Sequence, residues 1–82
     1  MGNRIIQNMS LSSNLKRLRT SSGLSQEAVA TKINLLGRNL DRGAYSKIEL
    51  GGRNIKVTGL VDLKQVYNVD FSEFFKGIKP YE

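Results

Sequence analysis

LSQEAVATKINLLGRNLDRGAYSKIELGGRN, residues 24–54, reads as two short helices joined by a glycine-bearing turn, with a basic loop behind the second. Ser25 suits the N-cap of the first, because a hydroxyl there accepts from a backbone N–H that the opening turn leaves without a partner. Glu27 complements the positive end of the helix dipole, and Leu24 and Val29 hold the two positions of a hydrophobic staple. Val29, Ile33 and Leu36 then recur at i, i+4 and i+7, so one face is apolar, while Ala28 and Ala30 allow a neighbour to approach closely. Gly37 is the expected stop. Asp41 opens the second helix, residues 41–49, with Leu40 and Tyr45 as its staple.

The same grammar extends in both directions. Upstream, Leu11, Leu15, Leu18 and Ser22 form a modest stripe that predicts a helix over residues 11–22, with Gly23 as a left-handed stop. Lys16 and Arg17 leave on its wet side, and Arg19, one residue from the stripe, is expected to be partly buried. Downstream, Val57, Leu60, Leu63, Val66 and Tyr67 mark a fourth helix closed by Asn68, whose interior Gly59 costs about 1 kcal/mol against alanine. Asp70 caps a fifth, with Val69 and Phe74 as staple and Glu73 completing a capping box. The expectation is an all-α, compact five-helix domain. Its core comprises Leu15, Leu18, Leu24, Val29, Ile33, Leu40, Tyr45, Ile48, Leu60, Leu63, Val66, Val69, Phe71 and Phe74. Residues 1–10 show no periodicity and are expected as a flexible arm, residues 11–76 as the folded domain and residues 77–82 as a tail. No strand is expected before residues 78–81.

With 82 residues the chain has room for one core and little for an enclosed active-site cleft. It contains no cysteine and no histidine, which removes disulfides, thiolate and imidazole chemistry and the usual zinc ligand sets. Neither a cofactor nor a metal is expected. No apolar run approaches the roughly eighteen residues that span a bilayer, and no signal-peptide segment follows the start, so a cytoplasmic setting fits. Met1-Gly2 opens like a myristoylation signal, but Ile6 stands where serine or threonine is required. The formal charge of +6 is unevenly placed. Residues 1–54 hold nine Lys/Arg against three Asp/Glu, whereas residues 55–82 hold four of each. That is either a basic surface of scattered, solvated charges or a polyanion-binding half joined to a neutral packing half. Composition does not choose between them; spacing does.

The segments LKRLRTSSGLSQEAVATKI, AYSKIELGGRN and VTGLVDLKQVYNVDFSEFF together resemble the lambda-repressor-like, Xre-type helix-turn-helix family, over roughly residues 11–75. A lone SKIE would mean little. The ordered set is specific: G-L-S-Q opening helix 2, S-K-I-E ending helix 3, G-x-R-N after it and V-D-F-S-E-F-F at the end. The resemblance implies a DNA-binding domain in which helix 2 crosses the backbone and helix 3 reads base edges. Ser25 and Gln26 match phosphate-contacting positions, and Arg53 matches a basic loop position near phosphate. Arg42, Gly43, Ala44, Ser46 and Lys47 match the groove-facing positions of the recognition helix. Arg19 and Glu49 match an internal salt bridge. In one respect the chain departs from the family: residues 33–41 are longer than the usual turn by about one helical turn. An extended helix 2 is therefore expected, with residues 37–40 as the connection. Arg38 and Asn39 then lie either against the backbone, as further phosphate contacts, or swung outward as ordinary loop residues.

The chemistry of these positions agrees with the resemblance. Arg42 and Lys47 can donate to guanine O6 and N7, and a bidentate arginine contact is worth roughly 1–3 kcal/mol of discrimination. Ser46 can donate or accept, Gly43 and Ala44 remove bulk where a helix enters a groove, and the Ala44 methyl can meet a thymine methyl. Gln26 sits in the first turn of helix 2, where unpaired N–H groups and the dipole favour a phosphate oxygen. Read without the motif order, the same residues describe a solvated helix face. The aromatic cluster Phe71, Phe74 and Phe75, with Ile78, Pro80 and Tyr81, exceeds what one small core absorbs unless all of it folds inward. A two-fold contact through Phe71, Phe75, Ile78 and Tyr81 is expected, since paired half-sites about 34 Å apart are how this motif gains affinity. These readings converge on a sequence-specific regulator of transcription that binds double-stranded DNA, a repressor acting as a homodimer. The alternative is an antitoxin-like interaction module on the same fold, its hydrophobic tail gripping a small protein partner. Seven carboxylates without histidine or cysteine, mostly at helix starts and in the Arg19–Glu49 pair, leave no acid–base dyad for an enzyme.

Overall fold

The computed structural model describes residues 4–5 and 9–78. Four α-helices follow in chain order, α1 (Met9–Ser21), α2 (Gln26–Leu35), α3 (Arg42–Glu49) and α4 (Val57–Tyr67), and a 3-10 helix over Phe71–Phe75 completes the described chain. The caps explain the boundaries. Ser25 Oγ accepts from the Ala28 N–H at 3.0 Å and Asp41 Oδ1 from the Ala44 N–H at 2.7 Å, so α2 and α3 each begin with one orphan donor satisfied. Leu36 caps α2, and Gly37 turns the chain out of it at φ 90°. At the end of α3 the Gly51 N–H donates to the Ile48 carbonyl at 3.1 Å and the Gly52 N–H to the Lys47 carbonyl at 2.9 Å. These are the two bonds of a Schellman stop, and Gly51 supplies the left-handed φ of 82° that the motif needs. Asn68 closes α4 at φ 55°.

The fifth segment differs from the expected α-helix. It is a five-residue 3-10 helix, and the capping box does not form there: the Asp70 side chain caps nothing, while Glu73 faces α1. Arg17, expected in solvent, donates from Nη2 to the Glu73 carbonyl at 3.0 Å and pairs with its carboxylate at 3.4 Å. Asn14 supplies the physical reason. It is buried on α1, and its Nδ2 donates at 2.9 Å to both the Phe74 and Lys76 carbonyls. Carbonyls claimed from outside need no α-helical ladder, and Gly77, at φ 79°, ends the segment. The expectation of no strand before residue 78 is also corrected. β1 (Arg4–Ile5) pairs antiparallel with β2 (Ile55–Lys56), in the register Arg4 to Lys56 and Ile5 to Ile55. Two residues are too few to show a period, so nothing in the pattern announced it.

One core joins all the helices. Leu11, Leu15 and Leu18 of α1 meet Val29 and Ile33 of α2, Tyr45 and Ile48 of α3, and Leu60, Leu63 and Tyr67 of α4, with Ile55 and Phe74 added. Leu24, Leu40, Val66, Val69 and Ile78 pack against it. Leu36 and Phe71 are exceptions to the expected stripes, at 39% and 41% exposed. Leu36 lies beyond the last helical residue, where the chain has left the helical track, and the Phe71 ring lies under Lys64 Nζ, 5.4 Å from its centroid. Ile55 and Tyr67 occupy the interior instead.

Candidate nucleic-acid interface

Helix α3 carries its apolar side inward. Tyr45, Ile48 and Glu49, at i, i+3 and i+4, are buried, whereas Arg42, Gly43 and Lys47 are exposed and Ala44 and Ser46 half-buried. A slim outward ridge results, with two cations at its flanks and little bulk between them. The Asp41 cap and the Gly51 stop fix its two ends.

Behind the ridge, Glu49 binds three elements together. Its side chain is 3% exposed, and Arg19 reaches it from α1 with Nε donating to Oε2 at 2.8 Å and Nη2 to Oε1 at 2.9 Å. The remaining Arg19 nitrogen, Nη1, donates to the Leu24 carbonyl at 2.9 Å, and Gln26 of α2 approaches Oε1 at 3.4 Å. Burial alone would raise the pKa of Glu49, but hydrogen bonds from Arg19 and then Tyr45 outweigh it and hold the carboxyl below its ordinary range. The bond to Glu49 raises Arg19 in turn, so the pair is charged. The Tyr45 and Tyr67 hydroxyls hydrogen-bond each other, and burial raises the pKa of both, which keeps them neutral.

Gln26, half-buried, and the exposed Ser25 stand at the N-terminus of α2, where Ser25 has committed an acceptor lone pair to the cap and retains its O–H. The lengthened turn is held by the Asn34 side chain, whose Oδ1 accepts from the Leu40 N–H at 2.7 Å. Arg38 in that turn pairs with Asp62 of α4, Nε to Oδ2 at 2.7 Å and Nη2 to Oδ1 at 3.4 Å. Arg38 and Asn39, with Arg53 from beyond α3, line one cleft of about 510 Å³ that also takes in Lys56, Asp62 and an apolar floor including Ile55 and Leu63. At the opposite end of the chain Phe75 is 43% exposed, close to the value for Phe71, whereas Ile78 packs against the core. Tyr81 lies outside the described residues. Val57 and Val61, one helical turn apart on α4, are exposed as well.

Sequence reasoning missed Asn14, Arg17, Asp62 and the Tyr45–Tyr67 contact. Two of these left a trace. Asn14 occupies the i+3 position of the Leu11 stripe, and Asp62 interrupts an otherwise apolar run from Leu60 to Leu63, so each was a polar group bound for the interior. Among the described residues no helix is long and apolar enough to cross a membrane, and no group of three or more His, Cys, Asp or Glu is placed to hold a metal.

A family model described as helix-turn-helix matches residues 15–74. The chain is also similar to a protein named control protein C.MunI, from a Mycoplasma species, at 38% identity over 66 residues, covering 79% of this chain and 82% of that one. No solved structure gives a significant match.

Proposed function

The chain belongs to the Xre-type helix-turn-helix family and is a DNA-binding regulator of transcription, not an enzyme, and on that premise we propose that it is a sequence-specific repressor binding its operator as a homodimer. The observation that carries the proposal is the division of α3 into a buried face of Tyr45, Ile48 and Glu49 and an outward ridge of Arg42, Gly43, Ala44, Ser46 and Lys47. The ridge enters the major groove. Arg42 and Lys47 donate to guanine edges, Ser46 takes either role, and Gly43 and Ala44 let the backbone come close. Ser25 and Gln26 at the start of α2, with Arg38, Asn39 and Arg53 around the cleft, contact phosphates and fix the register. The Arg19–Glu49 pair holds the angle between α1 and α3 without touching DNA. Phe71, Phe75, Ile78 and Tyr81 form the two-fold contact, and the protein works in the cytoplasm.

Exposed Phe71 and Phe75 equally fit a second reading, an interaction module whose tail grips a small, unrelated protein. Co-purification of such a partner favours it. Selection from random duplexes followed by a salt titration tests the main reading. A preferred duplex emerges, its log affinity falls steeply with log salt, and Arg53→Ala flattens that slope by about one. Arg42→Ala relaxes preference at one base pair. A pool that yields no preferred sequence rules the reading out.

A further inference from the structure

Asp62 is 7% exposed, set between Leu60 and Leu63 on α4. A carboxylate at such a site needs a partner, and Arg38 provides it through one edge of its guanidinium, Nε and Nη2. A guanidinium carries five N–H donors in a rigid plane, so pairing by that edge leaves the hydrogens of Nη1 uncommitted to Asp62. Half of the Arg38 side chain is exposed. Around it the cleft holds Arg53, Lys56 and Asn39, and among the described residues Asp62 is the one acidic residue lining it. Arg38 precedes α3 and Arg53 follows it, so the recognition helix has a cation on this cleft at either end.

We infer that Asp62 is a positioning residue for DNA binding: it holds Arg38 by one edge and presents the other to a phosphate beside the recognition helix. The inference rests on the DNA-binding reading above and assigns a role to a residue that makes no DNA contact itself. Presentation is favoured over withholding for an electrostatic reason. A phosphate that pulled Arg38 away would strand a buried carboxylate, whereas a phosphate taking the open edge leaves the pair intact. The ordering of a long side chain is then already complete before DNA arrives.

The experiment measures binding by fluorescence anisotropy across a salt series, each variant held well below its own melting temperature. The probes are the most enriched duplex from the selection and a scrambled duplex of equal length. Arg38→Ala weakens both by the same factor and flattens the salt slope by about one. Asp62→Asn weakens both by about two- to tenfold while keeping the slope, because the charge remains but its orientation is lost. The double variant binds no more weakly than Arg38→Ala alone. Arg38→Lys keeps the slope yet loses affinity, since an ammonium cannot span carboxylate and phosphate in one plane. Binding by Asp62→Asn as tight as wild type or tighter overturns the inference, as does a double variant in which the two losses simply multiply. Should Asp62→Asn fail to fold, an unchanged slope in Arg38→Ala or wild-type affinity in Arg38→Lys overturns it equally. A wild type that binds neither duplex brings down the DNA-binding reading and this inference with it; wild-type binding with an indifferent Arg38 removes only the inference.

Discussion

Arg19 gives Glu49 its strongest partners through two bonds, and removing the carboxylate would leave that guanidinium with one backbone partner at Leu24 in a largely buried site. Breaking a buried pair from one side costs roughly 3–5 kcal/mol, whereas an exposed change such as Lys47→Ala stays within about 0.5. Thermal melts of Glu49→Ala and Lys47→Ala test this, and equal midpoints would show the pair to be irrelevant to the fold. The pH dependence has a definite sign. Glu49 titrates in the folded chain below its ordinary 4.5, so between those two values the unfolded chain binds more protons. Its contribution is complete above the ordinary value and drains away as pH falls through the folded one. From neutral pH down to about pH 3, wild type therefore loses more stability than Glu49→Gln does. Parallel melting curves for the two against pH would contradict the assignment. The Arg19–Glu49 pair came into view through the family resemblance, but Asp62 could not be matched with Arg38 in advance. The lengthened turn has no counterpart in the family pattern, and nothing in its residues tells which way an arginine beyond a left-handed glycine will point.

Helix α3 is eight residues long, about 12 Å, and so short an element depends on its ends. Asp41→Ala removes the 2.7 Å cap and costs about 1 kcal/mol. Gly51→Ala forces a Cβ into the left-handed region at φ 82° and costs roughly 1–2 kcal/mol. Chemical denaturation measures both losses. If fraying of the ridge is the consequence, specific binding falls further than binding to a scrambled duplex; an equal fall for both would mean the caps serve stability alone. Those ends are also why four helices were legible from residues alone: serine, aspartate, glycine and asparagine at these positions act locally, within one turn of the backbone they satisfy. The 3-10 segment and the strand pair were not legible for the opposite reason. Asn14 reaches Phe74 and Lys76 from some sixty positions away, and the Ile5–Ile55 pairing spans fifty. Capping residues at Asp70 and Glu73 promised a helix that a distant side chain had already replaced with something tighter.

Across the whole molecule, the charge surplus of residues 1–54 coincides with α1, α2 and α3, while the neutral remainder carries α4 and the exposed Phe71 and Phe75. The proposed DNA contact and the proposed self-association then fall on different parts of the chain, so each can be tested without the other. Phe75 is the better residue to change. Phe71 packs 6.4 Å from the Phe74 ring and lies under Lys64, so replacing it disturbs the fold, whereas among the described residues Phe75 makes no ring or cation contact of that kind. Sedimentation at low micromolar concentration should show wild type as a dimer and Phe75→Asp as a monomer with a melting temperature close to wild type. A monomer offers half as many phosphate contacts, so its slope of log affinity against log salt falls to about half. Base preference within one half-site persists, because the Arg42–Lys47 ridge lies on another element. A wild type that sediments only as a monomer, or a Phe75→Asp variant that keeps both its mass and its slope, would move the contact away from these aromatics. The exposed Val57 and Val61 on α4 would then be the face to alter next, since they are the remaining apolar side chains that the neutral half leaves uncovered among the described residues.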